Sequence, residues 1–197
     1  GMKDNGIADV LTRQKLDELY NDGYKEGDRA NALIQIKKNL NRLGFGNIST
    51  TNYFGSFSTK KVKEFQKYYS LPVNGRINAA MMFEMDEILN SPFQKGKRHE
   101  DTKRIKENLN RLGFDGIAIS DLFGGWTVTR LKQFQEYYGL KANGIADKVT
   151  IAKMEEILNS PFQLNVRNPK TKEIKKKLNK IGFAKITVTD LYGSFME

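Results

Sequence analysis

A unit of 69 residues recurs along this chain without insertion or deletion, as the spacing from Leu40 to Leu109 shows. The segment Asn39–Phe45 returns as Asn108–Phe114 and again as Lys177–Phe183. The same spacing separates three glycines, Gly6, Gly75 and Gly144. A repeat of constant length indicates one small structural unit built several times along the chain, so we do not expect a single continuous core.

The phase of the repeat divides the chain into two complete and two partial repeats. The complete repeats are residues 27–95 and 96–164. Residues 1–26 match only the third helix of a repeat, and residues 165–197 match the first helix and the loop after it. Because both ends fall inside a repeat, we expect this sequence to be a piece of a longer array.

Each complete repeat is predicted to contain three helices. Apolar residues recur at spacings of three and four, which is typical of a helix with one buried face. In the first helix of residues 27–95 they are Leu33, Ile36, Leu40 and Leu43, and in the next two helices Val62, Phe65, Tyr69, Met85 and Ile88. Gly44 follows the first helix at the position of a left-handed C-terminal residue. Between the first and second helices, Ile117–Ile119 and Ile186–Val188 predict a short strand or an extended loop.

The predicted fold is therefore all-α, a tandem array of three-helix bundles with short extended segments in the loops. Hydroxyl side chains are candidate N-caps. Ser58 and Thr127 are predicted to cap the second helix and Thr150 the third. Met81 occupies the position of Thr150 in the preceding repeat, where we expect the missing cap to cost about 1 kcal/mol.

Composition excludes several kinds of site. The chain has no cysteine, which excludes disulfides, thiolate zinc sites and cysteine nucleophiles. His99 is the single histidine, which disfavours histidine-based triads and zinc sites. No apolar run of about 18 residues is present, so neither a membrane helix nor membrane insertion is expected. No cofactor is indicated.

The net charge of +10 favours anionic partners such as nucleic acid, anionic lipid or wall polymers, and it equally suits simple solubility. Nucleic acid is disfavoured, because the chain has no recognition signature beyond its charge.

Two motifs in each complete repeat resemble those of a known family. Residues Phe54–Gln66 and Phe123–Gln135 are similar to the signature F-G-x-x-T-x-x-A-V-x-x-F-Q, and the segments after them, Leu71–Gly75 and Leu140–Gly144, resemble G-L-x-V-D-G. These are motifs of the peptidoglycan-binding domain of bacterial hydrolases and spore or wall proteins. The resemblance implies a small three-helix bundle that binds the glycan or stem peptide of peptidoglycan, in an extracellular, cell-wall-associated protein. The family's aspartate before glycine is asparagine here.

The leading hypothesis is a noncatalytic module that binds the cell wall through its tandem repeats. Glycosidases require two positioned carboxylates. Asp121 and Asp190 share one repeat position, but Asn52 occupies it in the first complete repeat, so these residues are not expected to be catalytic. The alternatives are a structural spacer or assembly element, or the targeting region of a wall hydrolase whose catalytic domain lies outside this chain.

Aromatic residues at one repeat position, Phe57 and Trp126, are candidate ligand-binding residues, since a ring offers an apolar plane to the C–H groups of a sugar. Alternatively, Phe57 packs against Val62 as a hydrophobic staple that precedes an N-cap at Ser58.

Two further pairs are candidate ligand-binding residues. Tyr68 and Tyr137 are predicted at the solvent rim of the second helix, beside a buried tyrosine. Gln66 and Gln135 carry amides suited to hydrogen-bond an N-acetyl or peptide group, or else to serve as surface or capping amides.

The partial repeats leave apolar faces without a partner, as at Leu16, Leu19, Ile174 and Leu178. We expect these faces to pack on the neighbouring complete repeat or to pair between molecules, which would give repeat-mediated self-association.

Overall fold

A computed structural model of the chain describes residues 22–183 and 185–193. These residues form seven α-helices and no sheet, and their extended segments pair only as isolated antiparallel bridges. The helices are α1 (Ala32–Arg42), α2 (Ser56–Tyr68), α3 (Ala79–Leu89), α4 (Thr102–Arg111), α5 (Gly125–Tyr137), α6 (Lys148–Leu158) and α7 (Thr171–Lys180). The all-α prediction is confirmed. Among the described residues, no helix has both the length and the apolar character needed to cross a bilayer.

The first helix of each repeat ends as its glycine predicts. Gly44 has φ +86°, and the Phe45 amide donates to the Leu40 carbonyl at 3.0 Å. Gly113 and Gly182 have φ +84° and +74° at the corresponding ends. This Schellman geometry turns the chain back, so that Phe45 packs in the core with its ring centroid 5.1 Å from that of Phe65.

The second helix begins earlier than predicted. Gly55 and Gly124 are the N-cap residues of α2 and α5, so Ser58 and Thr127 lie inside the first turn and the predicted caps are wrong. The reason is tertiary, because the preceding Phe54 is held extended by residues 27–28: its amide donates to the Asp28 carbonyl and its carbonyl accepts from the amide of residue 27. The helix starts directly after this pairing.

The third helix is capped by the residue that follows the turn. The Asn78 side chain accepts from the Met81 amide at 3.0 Å, and Asp147 accepts from the Thr150 amide at 2.8 Å. Thr150 and Met81 are therefore third residues of their helices, and the cap predicted at Thr150 is wrong. The expected loss of a cap at Met81 does not arise, since Asn78 supplies it.

The loop between the first and second helices is extended and is held by side chains of the first helix. The Asn110 side chain accepts from the Ile117 amide at 3.1 Å and donates to the Ile117 carbonyl at 2.9 Å. Lys106 is buried, and its ammonium donates to Ala118 O at 3.1 Å and Ser120 Oγ at 2.8 Å. Burial lowers the pKa of Lys106. The loop is therefore hydrogen-bonded to side chains of helix α4 and not to a neighbouring strand.

Residue contacts divide the chain into one unit that ends at Ile151 and another that begins at Ala152. In the first unit, Ile145 is buried in the same apolar cluster as Leu33, Phe54 and Met85, and Val149 packs against that cluster. The 69-residue phase places Ile145 in the repeat 96–164, yet its side chain completes the core of the repeat 27–95.

The second unit contains α7 and the loop after it. Ile174 and Leu178 are half-buried, and Ile181 and Phe183 are exposed. The face predicted at Leu16 and Leu19 lies outside the described residues.

Candidate functional site

Phe57 and Trp126 occupy the second position of helices α2 and α5, and each side chain is 53% exposed. The staple predicted for Phe57 is wrong, because Gly55 is the N-cap and the residue before it, Phe54, is fully buried. Phe123 holds the same buried position in the second repeat. The core is filled by Phe54 and Phe123, which leaves Phe57 and Trp126 facing solvent.

Each of these exposed rings has a cationic side chain one helical turn later. The Arg130 guanidinium carbon lies 4.5 Å from the Trp126 ring centroid, and the Lys61 ammonium lies 5.6 Å from that of Phe57. The Trp126 indole N–H donates to Gly116 O at 3.0 Å, which fixes the ring against the first loop. An exposed apolar plane beside a cation can contact a sugar face and a carboxylate or amide oxygen together.

Gln66 and Gln135 lie in the interior and not at the surface. The Gln66 amide donates to Asn74 Oδ1 at 2.8 Å and to Arg76 O at 2.9 Å, and it accepts from the Gly75 amide at 2.9 Å. Gln135 makes the equivalent contacts with residues 143–145. Both amides therefore hold the turn before the third helix, and their hydrogen-bonding groups are used within the protein.

Tyr68 and Tyr137 share one repeat position but have different surroundings. Tyr68 is half-buried, its hydroxyl accepts from the Lys141 amide at 3.2 Å, and burial raises its pKa to about 12. Tyr137 is 77% exposed. The difference arises because a segment of the second repeat covers the first of these tyrosines.

This covering segment, residues 140–149, packs on Leu43, Phe45, Tyr68 and Tyr69, and we call these contacts the repeat junction. The Tyr69 hydroxyl donates to Asp147 Oδ2 at 2.7 Å, and both side chains are buried. The Lys141 ammonium lies 4.8 Å from the Phe45 ring centroid. The side chain of Asn143 donates to Leu43 O at 3.4 Å. The sequence analysis did not predict this junction. The tyrosine pair and the turn segment each recur every 69 residues, and this could have indicated that they contact each other.

A groove of about 420 Å³ runs beside the junction. Its lining includes Phe83, Ile88, Phe93 and Ile151, and a salt bridge between Glu84 and Lys148, 2.6 Å long, lies at its edge. Phe83 is exposed in this groove, so the groove is a second candidate binding surface besides the rings of Phe57 and Trp126.

Among the described carboxylates, those of Asp121 and Asp190 each form an ion pair with an arginine. Asp121 accepts from Arg98 at 2.6 Å and closes the first loop beside the Arg98–Leu122 bridge. In the part of the chain that the structure describes, no group of three histidine, aspartate or glutamate side chains is placed to hold a metal ion. His99 is exposed and packs edge-on against Phe93.

The described structure defines a tandem helical-repeat protein: Phe54 and Phe123, 69 positions apart, are both buried, and Phe57 and Trp126, also 69 positions apart, are both exposed. The chain belongs to the family described as "Putative peptidoglycan binding domain", whose model matches residues 29–83 and 98–154. The two matches confirm the resemblance of both complete repeats, and they support a role in peptidoglycan binding and association with the cell wall. Searches of curated proteins and of solved structures gave no match.

Proposed function

We propose that this chain is a noncatalytic, extracellular module that binds peptidoglycan once per repeat, through Phe57 in one repeat and Trp126 in the next. The observation that carries the proposal is the pair of exposed rings at one repeat position, each with a cation beside it. An exposed apolar ring rimmed by a polar or charged group is typical of a binding surface, and this arrangement recurs at the same position in both repeats.

The two parts of each site suit the two parts of the ligand. The ring face stacks on the apolar C–H face of a sugar. Arg130 donates one N–H to Gln133 and Lys61 is paired with Glu64, and each cation has further N–H groups for a carboxylate of the stem peptide or an N-acetyl oxygen. Charge-assisted hydrogen bonds of this kind are stronger than neutral ones. Arg130 offers the wider set of donors, so we expect the second repeat to bind more tightly than the first.

Repetition compensates for weak individual sites. Two sites on one chain meet a polymeric ligand at a high effective concentration, which raises the overall affinity well above that of either site. The net charge of +10 adds attraction to anionic wall polymers, and salt weakens this part selectively.

Co-sedimentation with purified sacculi tests the proposal. We expect Phe57→Ala and Trp126→Ala each to weaken binding about tenfold, because one site and with it the avidity is lost, and the double variant to lose more than either, because neither site remains. The matched control is Ile119→Ala, at a side chain that is also exposed and apolar. Binding by the double variant at the level of the unmodified chain would exclude these residues, and loss of binding in Phe83→Ala instead would place the ligand in the groove.

The noncatalytic part of the proposal has its own measurement. Sacculi incubated with the chain should release no soluble sugar or peptide fragments, whereas release would indicate a hydrolase.

The repeat junction favours a second function, that of an assembly or spacer element, because it couples neighbouring repeats through buried contacts. Binding to sacculi separates the two, since a spacer would remain in the supernatant. The third candidate, the targeting region of a wall hydrolase, keeps the same binding site and adds a catalytic domain outside this chain.

A further inference from the structure

The groove beside the repeat junction is formed by the two complete repeats together. One wall is helix α3 with the segment after it, which contributes Phe83 and Phe93, and the other is the first turn of α6, which contributes Ile151. The Ala146 amide donates to the Phe93 carbonyl at 3.0 Å and joins the two walls. A ligand in this groove would therefore contact both repeats, and neither repeat forms the groove alone.

The ring and the acids of the groove do not recur with the 69-residue repeat. Phe83 and Glu84 correspond to Ala152 and Lys153 in the second complete repeat, whereas the buried methionine that follows them is present in both. The second repeat therefore has neither this ring nor this carboxylate. The groove is a site of a different kind from the exposed rings that both repeats share.

Charge determines which ligand suits the groove. Helix α3 carries Glu84, Asp86 and Glu87 and no lysine or arginine, in a chain whose net charge is +10. Glu84 is 2.6 Å from the Lys148 ammonium, and Asp147 is buried and hydrogen-bonded, so both charges are compensated within the protein. Glu87 is exposed at the groove, and no cation of the described residues pairs with its carboxylate. An apolar surface with one available carboxylate is complementary to an apolar chain that bears an ammonium group.

Phe83 and Glu87 are placed to bind the two parts of such a ligand together. They are four positions apart on α3, so their side chains are neighbours on one face of the helix. Phe83 is 68% exposed and offers an apolar plane to methylene groups, while the Glu87 carboxylate accepts hydrogen bonds from an ammonium.

We propose that this groove binds the stem peptide of peptidoglycan through the free ammonium group of its diamino residue, an inference that rests on the proposed function. The aliphatic part of that residue lies against Phe83, and its ammonium pairs with Glu87. Cross-linking of the wall converts this amine to an amide, which carries no charge. The groove therefore directs the chain to stem peptides that are not cross-linked, while the exposed rings bind the glycan.

Calorimetric titration of the full chain with a soluble, sugar-free stem peptide tests this. The probe is the peptide with the amine of its diamino residue free, and the matched ligand is the same peptide acetylated on that amine. We expect the free-amine peptide to bind about three- to fivefold more tightly, which is the upper range for an ion pair at a protein surface.

Glu87→Gln should bind the two peptides equally, because it removes the charge and keeps the size of the side chain. Asp86→Asn is the matched control: this exposed carboxylate lies on the same helix but outside the lining of the groove, so the variant should keep the preference for the free amine. Phe83→Ala should weaken binding of both peptides about tenfold, since it removes the apolar contact that they share. Circular dichroism melting checks that each variant is folded.

Four outcomes would overturn the proposal: no binding of either peptide, equal binding of both by the unmodified chain, loss of the preference in Asp86→Asn as in Glu87→Gln, or unchanged binding in Phe83→Ala. The failure of this proposal and that of the proposed function are distinguishable. A chain that sediments with sacculi but does not bind the sugar-free peptide refutes only the groove. A Phe57→Ala, Trp126→Ala double variant that sediments normally refutes only the rings.

Discussion

Removing the Tyr69 hydroxyl should destabilise the pair of complete repeats, because that group makes a buried hydrogen bond in the repeat junction. The Tyr69 hydroxyl donates to Asp147 Oδ2 at 2.7 Å, and both residues are buried. Tyr69→Phe keeps the ring and its packing against Phe65, so the change isolates the hydrogen bond.

The magnitude follows from the charge of the acceptor. A hydrogen bond to a charged group contributes about 1.5–3 kcal/mol. Asp147 keeps two hydrogen bonds from Thr150 on its other oxygen, at 2.8 and 2.7 Å, which stabilise the carboxylate after the change. We therefore expect a loss of about 2 kcal/mol, which lowers the ratio of folded to unfolded chain about thirtyfold.

Urea unfolding followed by circular dichroism measures this loss. With an m value of about 2 kcal/mol/M, the midpoint should fall by about 1 M. Tyr68→Phe is the matched control: it removes a neutral hydrogen bond from the Lys141 amide and should cost about 1 kcal/mol. A Tyr69→Phe midpoint equal to that of the unmodified chain would refute the assignment of the junction as a stabilising contact.

Three further outcomes are expected. Ser70 has φ +57°, where Gly139 serves in the second repeat, so Ser70→Gly should raise the free energy of unfolding by about 1 kcal/mol in a denaturant titration, and Gly139→Ser should lower it. Asn110→Ala should cost about 1–3 kcal/mol by the same titration, because two hydrogen bonds to Ile117 are lost. The folded pKa of Tyr68, about 12, lies above its ordinary value of 10.0, so the ionisation of Tyr68 favours the unfolded state. Its contribution to the free energy of unfolding is therefore full below pH 10 and is lost as pH rises towards 12. Unfolding free energies measured across this range should fall less steeply in Tyr68→Phe.

The repeat, the helices and the helix ends at glycine could be predicted because each depends on residues within a few positions of one another. The stripe from Leu33 to Leu43 specifies a helix with one buried face, and Gly44 ends it at little conformational cost. The helix starts were predicted less well. Ser58 has the right chemistry for a cap, but the extended pairing of Phe54 with residues 27–28 starts the helix earlier.

Sequence by itself determined that the same three-helix unit recurs, and that Phe57 and Trp126 share a position in it. It could not distinguish Tyr68 from Tyr137, because their local sequences are alike. Only the tertiary structure decided that Tyr68 is covered and Tyr137 is open, that Gln66 is buried in a turn, and that Ile145 completes the core of the repeat before its own. The physical reason is the sequence separation of the contacts. The Tyr69–Asp147 hydrogen bond joins residues 78 positions apart, and such a contact depends on how the folded repeats pack against each other, which local sequence does not specify.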